Sequence, residues 1–140
     1  MKICCEEKLI IKILFSKKEI VKTDFININY EKFLKISSNH LIIPSIYLNL
    51  LNKKKLSYLP KDLAEYFKEI FNANRTRNKL LIKEAKELST QLNKNNFKHF
   101  FIKGIALISL NIYDDIGARM IGDIDFYFEK EKAIKIKSYL

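Results

Sequence analysis

The longest periodic stretch of the sequence spans residues 60–94 and predicts one long helix. Its core-facing positions recur at steps of three, four or seven residues, so they lie along one side of a helix. The positions that form this stripe are Leu63, Phe67, Ile70, Asn74, Leu81, Ala85, Leu88 and Leu92. Asp62 and Glu65 lie near the predicted start, where the helix dipole favours acidic side chains, and Lys94 precedes the predicted end. The sequence therefore predicts a long helix with one core-facing side.

The composition favours helices over a β-sandwich. Among 140 residues there are only three glycines and two prolines, too few for the many tight turns of an all-β fold. A hydrophobic content of 48% is enough to bury the core of a single domain. We therefore expect an α+β chain that is rich in helix.

Three shorter helices are predicted before the long one. Residues 6–15 carry apolar positions at helical spacing. Asn29 is suited to cap a second helix, which we expect to break at residues 37–39. Pro44 fits the first turn of a third helix, where its missing N–H does no harm. Residues 1–96 are accordingly predicted to be a helical N-terminal region.

The period changes after the long helix, and residues 97–140 are predicted to begin a separate mixed β-sheet core. The expected elements, in order, are a strand at 99–103, a fully buried helix at 105–113, a turn at 114–118, a strand at 121–128 and the start of a helix at 130–140. Alternation along the second strand would place Asp123 and Asp125 on one face.

The net charge of +10 permits binding to phosphate-bearing partners. Most of the excess is lysine, and no basic and aromatic ladder is present, so the pattern favours a solvated surface and supports a nucleic-acid partner only weakly. Arg75, Arg77 and Lys79, in the middle of the long helix, are likewise expected on a solvated face rather than at a phosphate.

Cysteine, histidine and hydropathy patterns exclude several other classes of function. Cys4 and Cys5 are adjacent, so we expect reduced thiols rather than a disulfide or a zinc site. His40 and His99 have no catalytic partner in view and are expected to be structural. Neither a signal peptide nor a membrane span is indicated, which predicts a cytoplasmic protein without a membrane partner.

The acidic pair is the candidate functional centre. Two carboxylates at i and i+2 on a strand lie about 6–7 Å apart at the backbone and can converge on Mg²⁺. The three-residue pattern alone is weak, and a structural role is the alternative. Lys103 and Gly104 lie at a strand end where a helix begins, and with Arg119 they would suit a triphosphate.

A longer motif string resembles the uncharacterised nucleotidyltransferase family of the DNA polymerase β-type superfamily. The string consists of Lys103-Gly104, Ala106-Leu107, Tyr113, Asp115, Arg119 and Asp123-Ile124-Asp125. Upstream, the residues at similar positions are His40, Pro44, Tyr47, Pro60 and Arg77-Asn78. The resemblance extends from about Phe33 onward.

The resemblance implies that Asp123 and Asp125 bind Mg²⁺, which Mn²⁺ would also fit, and that Gly104 is the glycine of the phosphate turn, with Lys103 and Arg119 beside it. The implied reaction is attack by a hydroxyl of an unknown acceptor on the α-phosphate of a nucleoside triphosphate, with release of pyrophosphate. Catalysis would then rest on charge neutralisation by the metal.

Two departures from the superfamily pattern leave a second interpretation open. Ile105 follows Gly104 where the superfamily usually has Gly or Ser, so no hydroxyl is present there to bind phosphate. A third carboxylate from a later strand is also expected, and Glu129 would lie roughly 13 Å from Asp125 along a strand. We therefore expect the sequence to represent an N-terminal portion. The alternative is a catalytically inactive module that binds nucleic acid or a partner protein.

Overall fold

The computed structural model describes residues 3–128, which form five α-helices and a small sheet. The elements are α1 (Cys5–Phe15), α2 (Tyr30–Asn39), α3 (Ile43–Asn52), α4 (Lys61–Lys94), β1 (His99–Phe101), α5 (Lys103–Ser109) and β2 (Phe126–Phe128), with 3₁₀ turns at Lys22–Phe25 and Leu56–Tyr58. The expected α+β class is confirmed.

The first three helices pack against the N-terminal half of α4 around one hydrophobic core. Aromatic rings make the central contacts of this core: Phe33 stacks on Phe67 with ring centroids 6.1 Å apart, and Tyr47 lies 5.1 Å from Phe71. Such pairs add directional packing energy to the burial of their apolar surface. This core fixes α4 in place, and α4 then extends beyond it.

Local signals set the starts of the short helices as predicted, but one predicted end is wrong. Asn29 Oδ1 accepts a hydrogen bond of 2.9 Å from the Lys32 N–H and caps α2. The expected break at residues 37–39 does not occur, because the buried Ser37 hydroxyl donates to the Phe33 carbonyl at 2.7 Å. The serine is satisfied inside the helix, which therefore runs on to Asn39.

The long helix predicted for residues 60–94 is confirmed, and all its stripe positions are buried or partly buried. Its C-terminal half supports α5 through Ala85, Ile105 and Ile108, and the sheet packs farther along at Leu92. The two halves of the chain are also joined directly, since the Ser45 hydroxyl donates to the carbonyl of Ala118 at 2.7 Å.

The sheet of the described residues is a two-stranded antiparallel ribbon in which Phe100 pairs with Tyr127. A larger mixed sheet stays a prediction, as does the division of the chain after residue 96. The helix expected at 130–140 and Glu129 lie outside the described residues.

The predicted helix at 105–113 is displaced toward the N-terminus and is not fully buried. It begins at Lys103 and ends at Ser109, after which Asn111 adopts a left-handed φ of 53°. Leu110 and Ile112 are consequently 70% and 59% exposed. The apolar run does not continue as a buried helix.

The remaining expectations about side chains agree with the structure. Cys4 and Cys5 are free thiols. His40 is the C-terminal cap of α2, and the His99 ring contacts the Ser89 hydroxyl at 2.8 Å and the Phe97 carbonyl at 3.0 Å. Within residues 3–128, no helix combines the length and the hydropathy that a membrane crossing requires.

Candidate active site

The acidic pair lies at the end of a loop, residues 113–125, that we call the carboxylate loop. It opens with the turn predicted at 114–118: Asp115 Oδ1 accepts from the Gly117 N–H at 2.7 Å, and the Asp115 carbonyl accepts from the Ala118 N–H at 3.0 Å. An aspartate that bonds to the backbone two residues ahead is a common way to fix a turn. The loop therefore begins in a defined conformation.

Two buried asparagines of α4, one helical turn apart, hold the middle of the carboxylate loop. The Asn74 amide donates to the carbonyls of Gly117 at 2.8 Å and Arg119 at 3.0 Å. The Asn78 amide donates to the carbonyls of Ile116 at 2.5 Å and Arg119 at 2.8 Å. Asn74 is 4% exposed and Asn78 is fully buried, so these side chains hold the loop carbonyls from inside the protein.

Two arginines of α4 extend this contact along the loop. Arg75 Nη2 lies 3.2 Å from Asp115 Oδ2, and Arg77 Nη2 donates to the Gly122 carbonyl at 3.3 Å. Both arginines are exposed, as expected for a solvated face of α4, and each also makes a contact with the carboxylate loop. Gly122 directly precedes Asp123, so the long helix positions the backbone next to the acidic pair.

Lys103 and Asp125 form an ion pair, with Lys103 Nζ 2.8 Å from Asp125 Oδ1. The pKa of Lys103 is raised above its ordinary value of 10.5 by this hydrogen bond, by the charge of Asp125 and by the charge of Asp123. The Lys103 side chain is 67% exposed, whereas the Asp125 side chain is only 24% exposed. One cation thus lies within the electrostatic reach of both carboxylates.

The strand expected at 121–128 is much shorter than predicted, and neither aspartate lies within it. Strand β2 begins at Phe126, and pairing continues by one bond only, from the Ile102 N–H to the Asp125 carbonyl at 3.0 Å. Lys103 then adopts a left-handed φ of 54° and starts α5, so β1 offers no partner for Asp123. Strand alternation therefore does not place both aspartates on one face; their shared neighbour is Lys103.

Gly104 lies in the first turn of α5 and is buried under the carboxylate loop. A Cβ at this position would collide with Cγ2 of Ile121, and it would lie 3.8 Å from Nε of Arg119. Close packing therefore requires a glycine here, independently of any ligand. The Arg119 side chain therefore lies next to Gly104, the residue that follows Lys103 in the sequence.

Residues 27–140 match the sequence model of a family described as uncharacterised nucleotidyltransferase. The chain belongs to this family. No curated protein and no solved structure gives a significant match. The resemblance deduced from the motif string is thus confirmed over most of the chain.

The carboxylates of this nucleotidyltransferase fit a hard divalent cation by their chemistry. Mg²⁺ prefers oxygen ligands and is commonly bound by one or two carboxylates together with water and substrate phosphates. Asp123 and Asp125 supply such a pair, and the charges of both raise the pKa of the cationic Lys103. Among residues 3–128, no group of three or more histidine, cysteine, aspartate or glutamate side chains could hold a metal.

The asparagine contacts of the nucleotidyltransferase site were missed by the sequence interpretation. Asn74 was recognised only as a member of the helical stripe, and Asn78 only as part of the family-like Arg77-Asn78 pair. A polar side chain inside a buried stripe must find hydrogen-bond partners, and this was the available signal. Its partners could not be named, because they lie in a loop about forty residues farther along the chain.

Proposed function

We propose that this nucleotidyltransferase chain binds Mg²⁺ and the phosphates of a nucleoside triphosphate at a site that transfers a nucleotide to an acceptor hydroxyl. The ion pair of Lys103 with Asp125, with Asp123 in electrostatic reach, carries this proposal. It brings an exposed lysine to the acidic pair, and the family match supports the class of reaction.

Asp123 and Asp125 are the proposed metal ligands. Mg²⁺ bound to them would neutralise charge on the triphosphate and favour the ionised form of the acceptor hydroxyl. Mn²⁺ has similar ligand preferences and would fit the same carboxylates. The limited exposure of Asp125 favours this role, because a poorly solvated carboxylate is stabilised by a nearby cation.

Lys103 and Arg119 are the proposed phosphate-binding side chains, on either side of Gly104. Their charge would attract a triphosphate, and each would donate charge-assisted hydrogen bonds to its oxygens. Lys103 has two roles in this scheme, since it neutralises Asp125 in the present structure and would turn to phosphate when a cation occupies the carboxylates. The exposure of its side chain, 67%, leaves it free to make that change.

The transfer itself would form a bond between the acceptor oxygen and the α-phosphorus while the bond from that phosphorus to the bridging oxygen breaks. Pyrophosphate leaves, and the hydroxyl proton passes to solvent. Positively charged groups around the phosphates stabilise the charge that develops in this transition state. Lys103 and Arg119 would contribute that charge from the chain itself.

Calorimetric titration with ATP and GTP, with and without Mg²⁺, tests the proposal. We expect binding that requires Mg²⁺ and that is lost when Asp123→Asn and Asp125→Asn are combined. Asp62→Asn, an exposed change at the start of α4, is the matched control and should leave binding unchanged. Binding that persists in the double variant would rule out the assigned metal ligands. Salt-sensitive RNA binding without a metal requirement would instead support a binding module.

A further inference from the structure

Two large aromatic side chains are exposed on the β1–β2 ribbon, where their rings stack on each other. Phe100 and Tyr127 are opposite each other in the register, their ring centroids lie 4.9 Å apart, and their planes differ by 30°. Phe100 is 57% exposed and Tyr127 is 55% exposed. Exposed paired rings of this size commonly mark a binding surface.

The opposite face of the ribbon carries the aromatic residues that pack inward. His99 contacts Phe101 at 5.8 Å and Phe126 contacts Phe128 at 5.6 Å between ring centroids. Phe126 and Phe128 pack on the core around Leu92 of α4. Because side chains alternate along a strand, Phe100 and Tyr127 face away from α4.

Asp125 shares that outward face. The bond from the Ile102 N–H to the Asp125 carbonyl continues the ribbon ladder, so Asp125 is in extended register two residues before Tyr127. Residues at i and i+2 on one strand face lie about 6–7 Å apart. The aromatic pair is therefore next to Asp125 and to Lys103, which is bonded to Asp125.

A ligand that touched both features would need a flat ring joined by a short link to a phosphate group. A nucleotide has this structure, because one sugar separates the base from the α-phosphate. Bases stack readily on aromatic side chains, and such stacking tolerates all bases since each has a π-face. The cationic Lys103 and a metal on the carboxylates would complement the negative charge of the phosphates.

We propose that Phe100 and Tyr127 form the stacking surface for the base of the nucleotide substrate. This inference rests on the proposed function, since it assumes that Asp123 and Asp125 bind the phosphates through a metal. The surface offers rings rather than buried hydrogen-bonding groups, so it discriminates little between bases. Purine nucleotides, with the larger ring system, would bind more tightly than pyrimidine nucleotides.

The test compares ATP with inorganic tripolyphosphate, which carries the phosphates and no base. Calorimetry with the full chain and excess Mg²⁺ measures both affinities for the wild type and for Tyr127→Ala, Tyr127→Phe and Phe100→Ala. We expect Tyr127→Ala to weaken ATP binding by about tenfold, the typical contribution of one stacked base. Tripolyphosphate binding should stay unchanged, and Tyr127→Phe, which keeps the ring, should bind ATP like the wild type.

Tyr66→Ala is the matched control, because Tyr66 is 42% exposed near the start of α4, whereas the ribbon packs near the end of that helix at Leu92. Circular dichroism melting verifies that each variant is folded. Unchanged ATP affinity in Tyr127→Ala and Phe100→Ala, with tripolyphosphate still bound, would overturn the stacking assignment alone. Absence of Mg²⁺-dependent binding of both ligands by the wild type would overturn the proposed function as well. If Tyr127→Ala weakens the binding of a single-stranded oligonucleotide but not the binding of ATP, the surface binds nucleic acid instead of the substrate base.

Discussion

Lys103 and Asp125 are 22 residues apart in sequence, yet their side chains are joined by a 2.8 Å contact at the point where the ribbon ends and α5 begins. The left-handed backbone of Lys103, with φ of 54°, allows this contact, because the chain leaves the direction of β1 at this residue. The lysine side chain then faces the carboxylate loop. Non-glycine residues rarely adopt this conformation, and they concentrate at functional sites.

Replacing Lys103 by methionine should have opposite effects on two ligands. Without the ammonium group, Asp125 no longer has a competing cation, so Mg²⁺ alone should bind about threefold to tenfold more tightly. Mg²⁺-tripolyphosphate should bind about tenfold more weakly, because a charge-assisted contact is lost. Isothermal titration of each ligand measures both changes.

Lys98→Met provides the control for net charge, since Lys98 is exposed just before β1. It should change neither affinity by more than about twofold at moderate salt, where exposed charges are screened. If Lys103→Met bound both Mg²⁺ and Mg²⁺-tripolyphosphate more weakly than the wild type, the competition between Lys103 and the metal would be contradicted.

Asn78→Ala should destabilise the chain and also weaken Mg²⁺ binding. The change removes the donor to the partly buried carbonyl of Ile116, whereas the Arg119 carbonyl keeps its bond from Asn74, and leaving one such group unsatisfied costs about 1–2 kcal/mol of unfolding free energy. The loop that ends in the acidic pair would lose its support, so the two carboxylates would converge less well. Urea unfolding and Mg²⁺ titration measure the two effects.

Asn72→Ala is the appropriate comparison, because Asn72 is exposed on the same helix. We expect its unfolding free energy and metal affinity to remain near those of the wild type. Mg²⁺ affinity that is unchanged in folded Asn78→Ala would show that Asn78 supports the fold without positioning the acidic pair.

Glu6 should contribute a pH-dependent part of the stability. Hydrogen bonds from the Cys4 side chain, from the backbone N–H groups of Glu6 and Asn29, and from Lys32 lower its pKa from 4.5 to about 2. Because the folded pKa is below the unfolded value, this stabilisation is present above pH 4.5 and is lost as the pH falls toward 2. Glu6→Gln should therefore be less stable than the wild type at pH 7, and the difference should shrink toward pH 2.

Urea unfolding across this pH range provides the measurement, with Glu31→Gln as the control. Glu31 is exposed in the first turn of α2, so its replacement should change stability little at either pH. If the difference in unfolding free energy between wild type and Glu6→Gln stayed constant from pH 7 to pH 2, this would falsify the link between the pKa of Glu6 and stability.

Local signals made the helices predictable. The stripe of α4 and the side-chain cap at Asn29 depend on residues three or four positions apart, and both are present in the structure. The break expected at residues 37–39 is absent because the Ser37 hydroxyl bonds within its own helix, so serine does not end α2 at this position.

The motif string names the residues of the candidate site, whose roles stay predictions, but it does not report their geometry. Asp123, Asp125, Lys103 and Gly104 were recognised from the motif string, and the structure brings Lys103 and Asp125 together. The length of β2 depends on its partner strand and on the backbone of Lys103. The alternation of residues 121–128 carries no information about either. Long-range strand pairing therefore sets where β2 begins, and the local sequence pattern does not predict it.

Gly104→Ala should destabilise the chain by about 1–3 kcal/mol, because the added methyl group overpacks a buried contact. The colliding atom is Cγ2 of Ile121, so Ile121→Ala should relieve the clash. In a double-mutant cycle, the two changes together should cost less than the sum of the single changes. Urea unfolding of the four proteins measures this coupling, and ATP titration of the double variant separates packing from binding. A glycine needed only by the ligand would show no coupling in stability and a loss of ATP affinity that Ile121→Ala does not restore.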